Sequence, residues 1–163
     1  MRIDVGPDGN PWVVQSTGVI FRYNGASFEL MPGLPSDIGI GEDGSVWIIG
    51  TNPIGNEYDI SYWNGSGWTA VPGGAVRIDV GPDGNPWIVQ STGVIFEYVN
   101  GTWEMRPGLA SDISIGGNGD VWIVGTNAVA GGRTTSTGGT ARVGISFLEG
   151  QQRSRWMCLG SRG

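Results

Sequence analysis

Along most of the chain, apolar and polar residues alternate with a period of two, and Gly, Asn, Asp and Pro interrupt the alternation every several residues. That is the pattern of short, half-buried strands joined by tight turns, and no stretch carries helical spacing. Arg2–Gly6 sets Ile3 and Val5 on the inward face. Pro7-Asp8-Gly9-Asn10 reads as a turn, with Gly9 supplying the positive φ that a tight hairpin needs. Pro11–Gln15 is a second strand with Trp12 and Val14 on one face, Gly18–Tyr23 a third, and Ser27–Met31 a fourth beyond the Asn24-Gly25 turn. Pro32-Gly33 ends the set.

The set then repeats, and a repeat decides a fold before any other signal does. Arg2–Trp12 returns letter for letter as Arg77–Trp87, and Gln15–Phe21 as Gln90–Phe96. Weaker copies lie between, at Asp37–Trp47 and Asp112–Trp122. Second anchors follow at Tyr23 and Phe28, Trp63 and Trp68, and Trp103, with further Pro-Gly pairs at Pro72-Gly73 and Pro107-Gly108. Four antiparallel strands per unit, repeated without helices, define a β-propeller blade. The expected fold is all-β: a β-propeller of four-stranded antiparallel blades, incomplete, with blades at 2–36, 37–76 and 77–111 and a half blade at 112–127. The loop Thr51–Asp59 lengthens the second blade on the rim that carries the turns between second and third strands.

The alternation of RIDVGPDGNPW with DIGIGEDGSVWIIGTNP, followed by YWNGSGWTAVPGGA, resembles the tectonin repeat family over residues 2–127. The resemblance implies a six-bladed propeller in the intact family fold, and recognition of carbohydrate or lipopolysaccharide. It names no cofactor.

After Asn127 the pattern stops. Residues 128–163 lack the WNG, Pro-Gly and DG marks, so this tail is expected to be either disordered or out of frame. Read from another base, allowed codons for Arg133–Gly163 restore the WNG, Pro-Gly and Pro-Trp marks in blade order. Three blades and a half blade cannot close a six-membered ring, and open apolar blade faces are expected to drive self-association.

Charge narrows the function classes. The net charge is −6, with no His and no Lys, so nucleic acid is excluded as a partner. Without His or Lys, and with Cys158 as the one thiol, most nucleophile–base pairs are unavailable, and no enzyme is expected. The recurrent acids read as turn residues. The DG and NG pairs fit hairpin turns better than calcium loops, which need six to eight converging oxygens, so no metal is expected. No apolar run reaches a membrane span. Met1 leads directly into the first strand with no leader peptide, and the compartment stays open.

The eight tryptophans include one at a fixed position in each unit, Trp12, Trp47, Trp87 and Trp122, and these are expected in the core between blades. Trp68, Phe28 and Trp103 are expected there too. Binding candidates are the polar rim residues Gln15, Ser16, Gln90 and Ser91, the longer-loop set Asn52, Asn56, Glu57, Tyr58 and Asp59, and Asn127. Amides, carboxylates and one aromatic suit a shallow sugar site. Plain loop solubility explains the same residues. The function expected is therefore lectin-like binding of glycan or lipopolysaccharide, with a protein-interaction or sensor scaffold as the alternative.

Overall fold

The computed structural model describes residues 1–126 and two later strands, Gly144–Glu149 and Arg153–Met157. The first blade is a meander of β1 (Arg2–Val5), β2 (Pro11–Val14), β3 (Ile20–Tyr23) and β4 (Phe28–Met31), each antiparallel to the last. The second is β5 (Asp37–Ile40), β6 (Val46–Ile54), β7 (Glu57–Trp63) and β8 (Trp68–Ala75). The third runs through β9 (Arg77–Val80), β10 (Pro86–Val89) and β11 (Val94–Val99) into β12 (Thr102–Ile115). β12 is one continuous strand that serves two blades: Thr102–Arg106 pairs with β11, and Asp112–Ile115 pairs with β13 (Val121–Gly125). The expected blade boundary after Ser111 falls at the register shift between Ala110 and Asp112.

Two expectations are corrected here. Pro72-Gly73 and Pro107-Gly108 do not end their strands. They are bulges within them, because Ile60 pairs with Val71 and Asp59 with Gly74, while Ile95 pairs with Arg106 and Val94 with Leu109. The two extra residues on one strand bend it without breaking the sheet. Likewise the long rim loop of blade two is a hairpin extension, with Pro53 opposite Tyr58 and Ile54 opposite Glu57 beyond a bulge.

The tail is corrected in part. Gly144–Glu149 (β14) pairs with β13, and Arg153–Met157 (β15) pairs with β14, so the fourth sheet has four strands where a half blade was expected. Sheet pairing runs through the backbone and does not require the blade's motif letters.

Between blades the core is built from β-branched residues of the inner strands and from the motif tryptophans. Ile38, Ile40, Val46 and Ile48 pack with Trp12, Val14 and Ile20 of the preceding blade. Ile78, Val80 and Ile88 pack with Trp47, Ile49 and Ile60. Trp12 is covered edge-on by Trp63 and Trp68 of the next blade, and Trp47 by Tyr98. Such edge-to-face pairs suit the aromatic quadrupole.

A second device joins the blades. The Trp68 indole N–H donates to the Pro32 carbonyl of blade one at 2.6 Å, and Trp103 donates to the Pro72 carbonyl of blade two at 2.8 Å. A Cβ on Gly73 would stand 2.9 Å from the Trp103 nitrogen, and its φ of 127° is glycine territory. The Pro-Gly pair is therefore the socket for the next blade's tryptophan.

Four residues expected to face inward are exposed at the edges of this stack. Ile3, Val5 and Phe28 are exposed, since among the described residues no blade packs against blade one on that side. Trp122 is exposed, whereas Trp87 is half-buried and packs against the core of Val89, Ile95, Ile113 and Ile123.

Candidate functional site

The rim on which the binding candidates were placed is where β6 and β7 extend past the body of blade two. Glu57 and Asp59 are two residues apart on one strand and share a face, whereas Tyr58 points to the other. Each carboxylate is held. Asp59 accepts from the Asn52 backbone N–H at 2.9 Å and from its side-chain amide at 3.0 Å. Glu57 reaches across to blade three, accepting from the Ser91 N–H at 2.9 and 3.0 Å and from its hydroxyl at 2.7 Å. Gly50 lies directly beneath Asp59, so that any side chain there would displace the carboxylate.

The structure thus brings four of the candidates, Asn52, Glu57, Asp59 and Ser91, into two fixed pairs. Gln90 also belongs to this blade boundary, its amide donating to the Gly74 carbonyl at 3.3 Å. Tyr58, 40% exposed, lies on the opposite side of β7 and does not share their face. Asn56 sits at the exposed tip of the hairpin beside Gly55. Gln15 and Ser16 are exposed on the rim of blade one, where the Gln15 carbonyl accepts from Gly18 in the turn. Asn127 lies outside the described residues.

A second constellation was not read from the sequence. The inner strands β1, β5, β9 and β12 border an open recess of about 180 Å³ lined by Asp4, Asp37, Asp79 and Asp112 together with Arg2 and Ser114. The reading of the recurrent acids as turn residues is therefore corrected for these four, which lie on strands. Three of them stitch one blade to the next. Asp4 accepts from the Ile40 N–H at 2.7 Å, Asp37 from the Ile78 N–H at 3.2 Å, and Asp79 from the Ile115 N–H at 2.6 Å. Arg2 pairs with Asp37 at 3.1 Å, and Arg77 with Asp112 at 3.7 Å.

Burial dominates the acidity of these groups. It pushes the Asp79 carboxyl up to about 6, the hydrogen bonds from Ile115 and Val80 opposing and the nearby Asp4 adding to the rise. Burial also raises Asp4 and Asp37, the latter against the pull of Arg2. The sequence did carry a signal. Units one and three read Arg-Ile-Asp where units two and four read Asp-Ile-Gly or Asp-Ile-Ser, an alternation that places an acid at every junction.

Radially stacked four-stranded meanders with inner strands around a common recess define a β-propeller. The chain belongs to the tectonin-domain family, whose profile matches residues 48–135. No curated protein matches the chain in sequence.

Among solved structures it is similar to Kuenenia stuttgartiensis hydrazine synthase, with a TM-score of 0.61 and 13% identity over 95% of this chain and 48% of that one. It is also similar to a gluconolactonase from Xanthomonas campestris, with a TM-score of 0.61 and 13% identity over 94% of this chain and 60% of that one. A third is YCF48 bound to D1 peptide, with a TM-score of 0.56 and 15% identity over 90% of this chain and 49% of that one. The chain spans about half the length of these structures, between 48% and 60%. At such identities the likeness is one of fold.

Proposed function

We propose that this chain is a non-enzymatic, carbohydrate-binding β-propeller that recognises a glycan or lipopolysaccharide at the rim between blades two and three. The observation that carries this reading is the pair of carboxylates, Glu57 and Asp59, on one face at the rim, each fixed by N–H or O–H donors. A carboxylate has about four lone-pair sites. Asn52 occupies two on Asp59, leaving acceptors in a set orientation, which is the arrangement that suits the vicinal hydroxyls of a sugar. Membership of the tectonin family supports the same reading.

A glycan array probed with the full chain, followed by titration of the best ligand, tests it. Asp59→Asn and Glu57→Gln should each weaken binding at least tenfold, whereas Gln15→Ala, on the blade-one rim, should leave it unchanged. Binding that survives both carboxylate substitutions, or no binding to any glycan or lipopolysaccharide, would overturn the proposal.

A second reading, a rim that holds a polypeptide, has one observation in its favour: a propeller of similar fold, YCF48, is described bound to a peptide. Capture of a defined peptide, displaced by no sugar, would select that reading instead.

A further inference from the structure

The junctions inside this chain are of two kinds, and they alternate. In one, an Arg-Ile-Asp blade precedes an Asp-Ile blade, as blade one precedes two and three precedes four. In the other, an Asp-Ile blade precedes an Arg-Ile-Asp blade, and the chain contains one complete example, between blades two and three. There Asp37 accepts from the Ile78 N–H and pairs with Arg2 at 3.1 Å. Arg77 approaches the same carboxylate closely enough to lower its pKa. The Asp37 carboxylate is thus paired with the arginine before it and within the field of the arginine after it, and its side chain is 8% exposed. Ile78 and Val80 are each 4% exposed.

Both halves of that junction recur, unfilled, at opposite ends of the stack. Asp112 holds the position of Asp37 in blade four. It has the preceding arginine, Arg77, at 3.7 Å, yet its side chain is 56% exposed. In blade one, Ile3 and Val5 hold the positions of Ile78 and Val80 and are 66% and 51% exposed. The hairpins share a register, Ile3 opposite Val13 and Ile78 opposite Ile88, so the Ile3 N–H is directed as the Ile78 N–H is.

We infer that blade one docks the Asp112 blade of a second copy of this chain, head to tail, reproducing the junction between blades two and three. Asp112 of one copy takes the Ile3 N–H of the next and lies between its own Arg77 and the neighbour's Arg2. The contact is a continuation of an interface already present in the fold, with charge matched on both sides. Face-to-face pairing of two blade-one edges would instead set Arg2 against Arg2 and leave Asp112 of both copies without a second arginine. The inference is independent of what the rim binds.

Light scattering and sedimentation of the full chain test it with two variants, each damaging one side. Ile3→Lys with Val5→Lys places charge on the blade-one edge at exposed positions, and Asp112→Lys sets a cation against two arginines. The wild-type chain should associate with rising concentration. Each variant alone should run at the single-chain mass of 17.2 kDa, with association at least tenfold weaker. An equal mixture should restore a complex of twice that mass, since each variant keeps the side the other has lost. Asp112→Asn, which keeps the shape and removes the charge, should also weaken association and covers any folding defect in the lysine variant. A monomeric wild type, undiminished association in either variant, or a mixture that forms no complex would each overturn the inference.

Discussion

Arg2–Trp12 and Arg77–Trp87 are the same eleven residues in two settings. Both fold into the same hairpin, with Ile3 opposite Val13 and Ile78 opposite Ile88, and with Gly9 at φ 72° and Gly84 at φ 81°. Beyond that they diverge. Ile78 and Val80 are buried under blade two, and Ile3 and Val5 are exposed. Each motif tryptophan has an arginine of its own blade over its ring, Arg22 on Trp12 and Arg106 on Trp87, but Trp12 is also enclosed by the next blade's aromatic pair and is buried, whereas Trp87 is half-buried. Local sequence sets the turn and the register, and the neighbouring blade sets the energetics.

The largest test of that contrast is truncation of the same isoleucine twice. Ile78→Ala opens a cavity in the packed junction and should cost about 2–5 kcal/mol. Ile3→Ala touches an exposed edge and should stay within about 0.5 kcal/mol. Urea midpoints measured on dilute protein, where association is suppressed, compare the two. Equal losses would mean that blade one is packed as blade three is.

Next in size is the pH dependence of the buried aspartates. The folded pKa of Asp79, about 6, lies above the ordinary aspartate value of 3.8, so the folded chain binds a proton that the unfolded chain releases between those values. The contribution of Asp79 to stability is then full below about pH 4 and is lost as pH rises through about 6. At 1.36 kcal/mol per unit the change is on the order of 2–3 kcal/mol. Asp79→Asn should flatten the profile across this window. Asp4→Asn removes the neighbour that pushes Asp79 up and should move the inflection to lower pH. Thermal melts from pH 4 to 8 read both, and a profile rising through this window would refute the assignment.

How much of this was legible beforehand differs between fold and site for a physical reason. Strand, turn and blade follow from local alternation and from glycine at positive φ, both visible in RIDVGPDGNPW itself. The rim pairs needed a contact across a junction: Ser91 and Glu57 belong to different blades, and no local pattern links them. Tyr58 shows the opposite limit. By position it joins Glu57 and Asp59, yet the period of a strand sends it to the other face once the loop proves to be β7. The inner aspartates were visible as letters, but their role depends on which N–H the next blade brings within reach. The Pro-Gly pairs were read as stops because proline and glycine usually end strands, while here they bulge to receive a tryptophan.

The smallest effect distinguishes the two copies at their turns. Valine at Gly9 or Gly84 must adopt a positive φ that β-branched residues resist, at a cost of about 1–2 kcal/mol at either site. The surroundings then differ. Nothing lies within 4 Å of a Cβ added at Gly9, whereas one at Gly84 meets the Asp43 carboxylate of the preceding blade. Asp43 is exposed and can swing away, though its Oδ1 would give up the Ser45 N–H it accepts at 3.0 Å. Gly84→Val should therefore fall below Gly9→Val in denaturant midpoint by a further 0.5–1.5 kcal/mol or so, about one hydrogen bond. Adding Asp43→Ala to the Gly84 variant should remove the excess and bring the two turns level. If Gly9→Val and Gly84→Val lose the same stability from the start, the turn of blade three does not touch blade two, and the junction is looser at its base than the contacts of Asp43 imply.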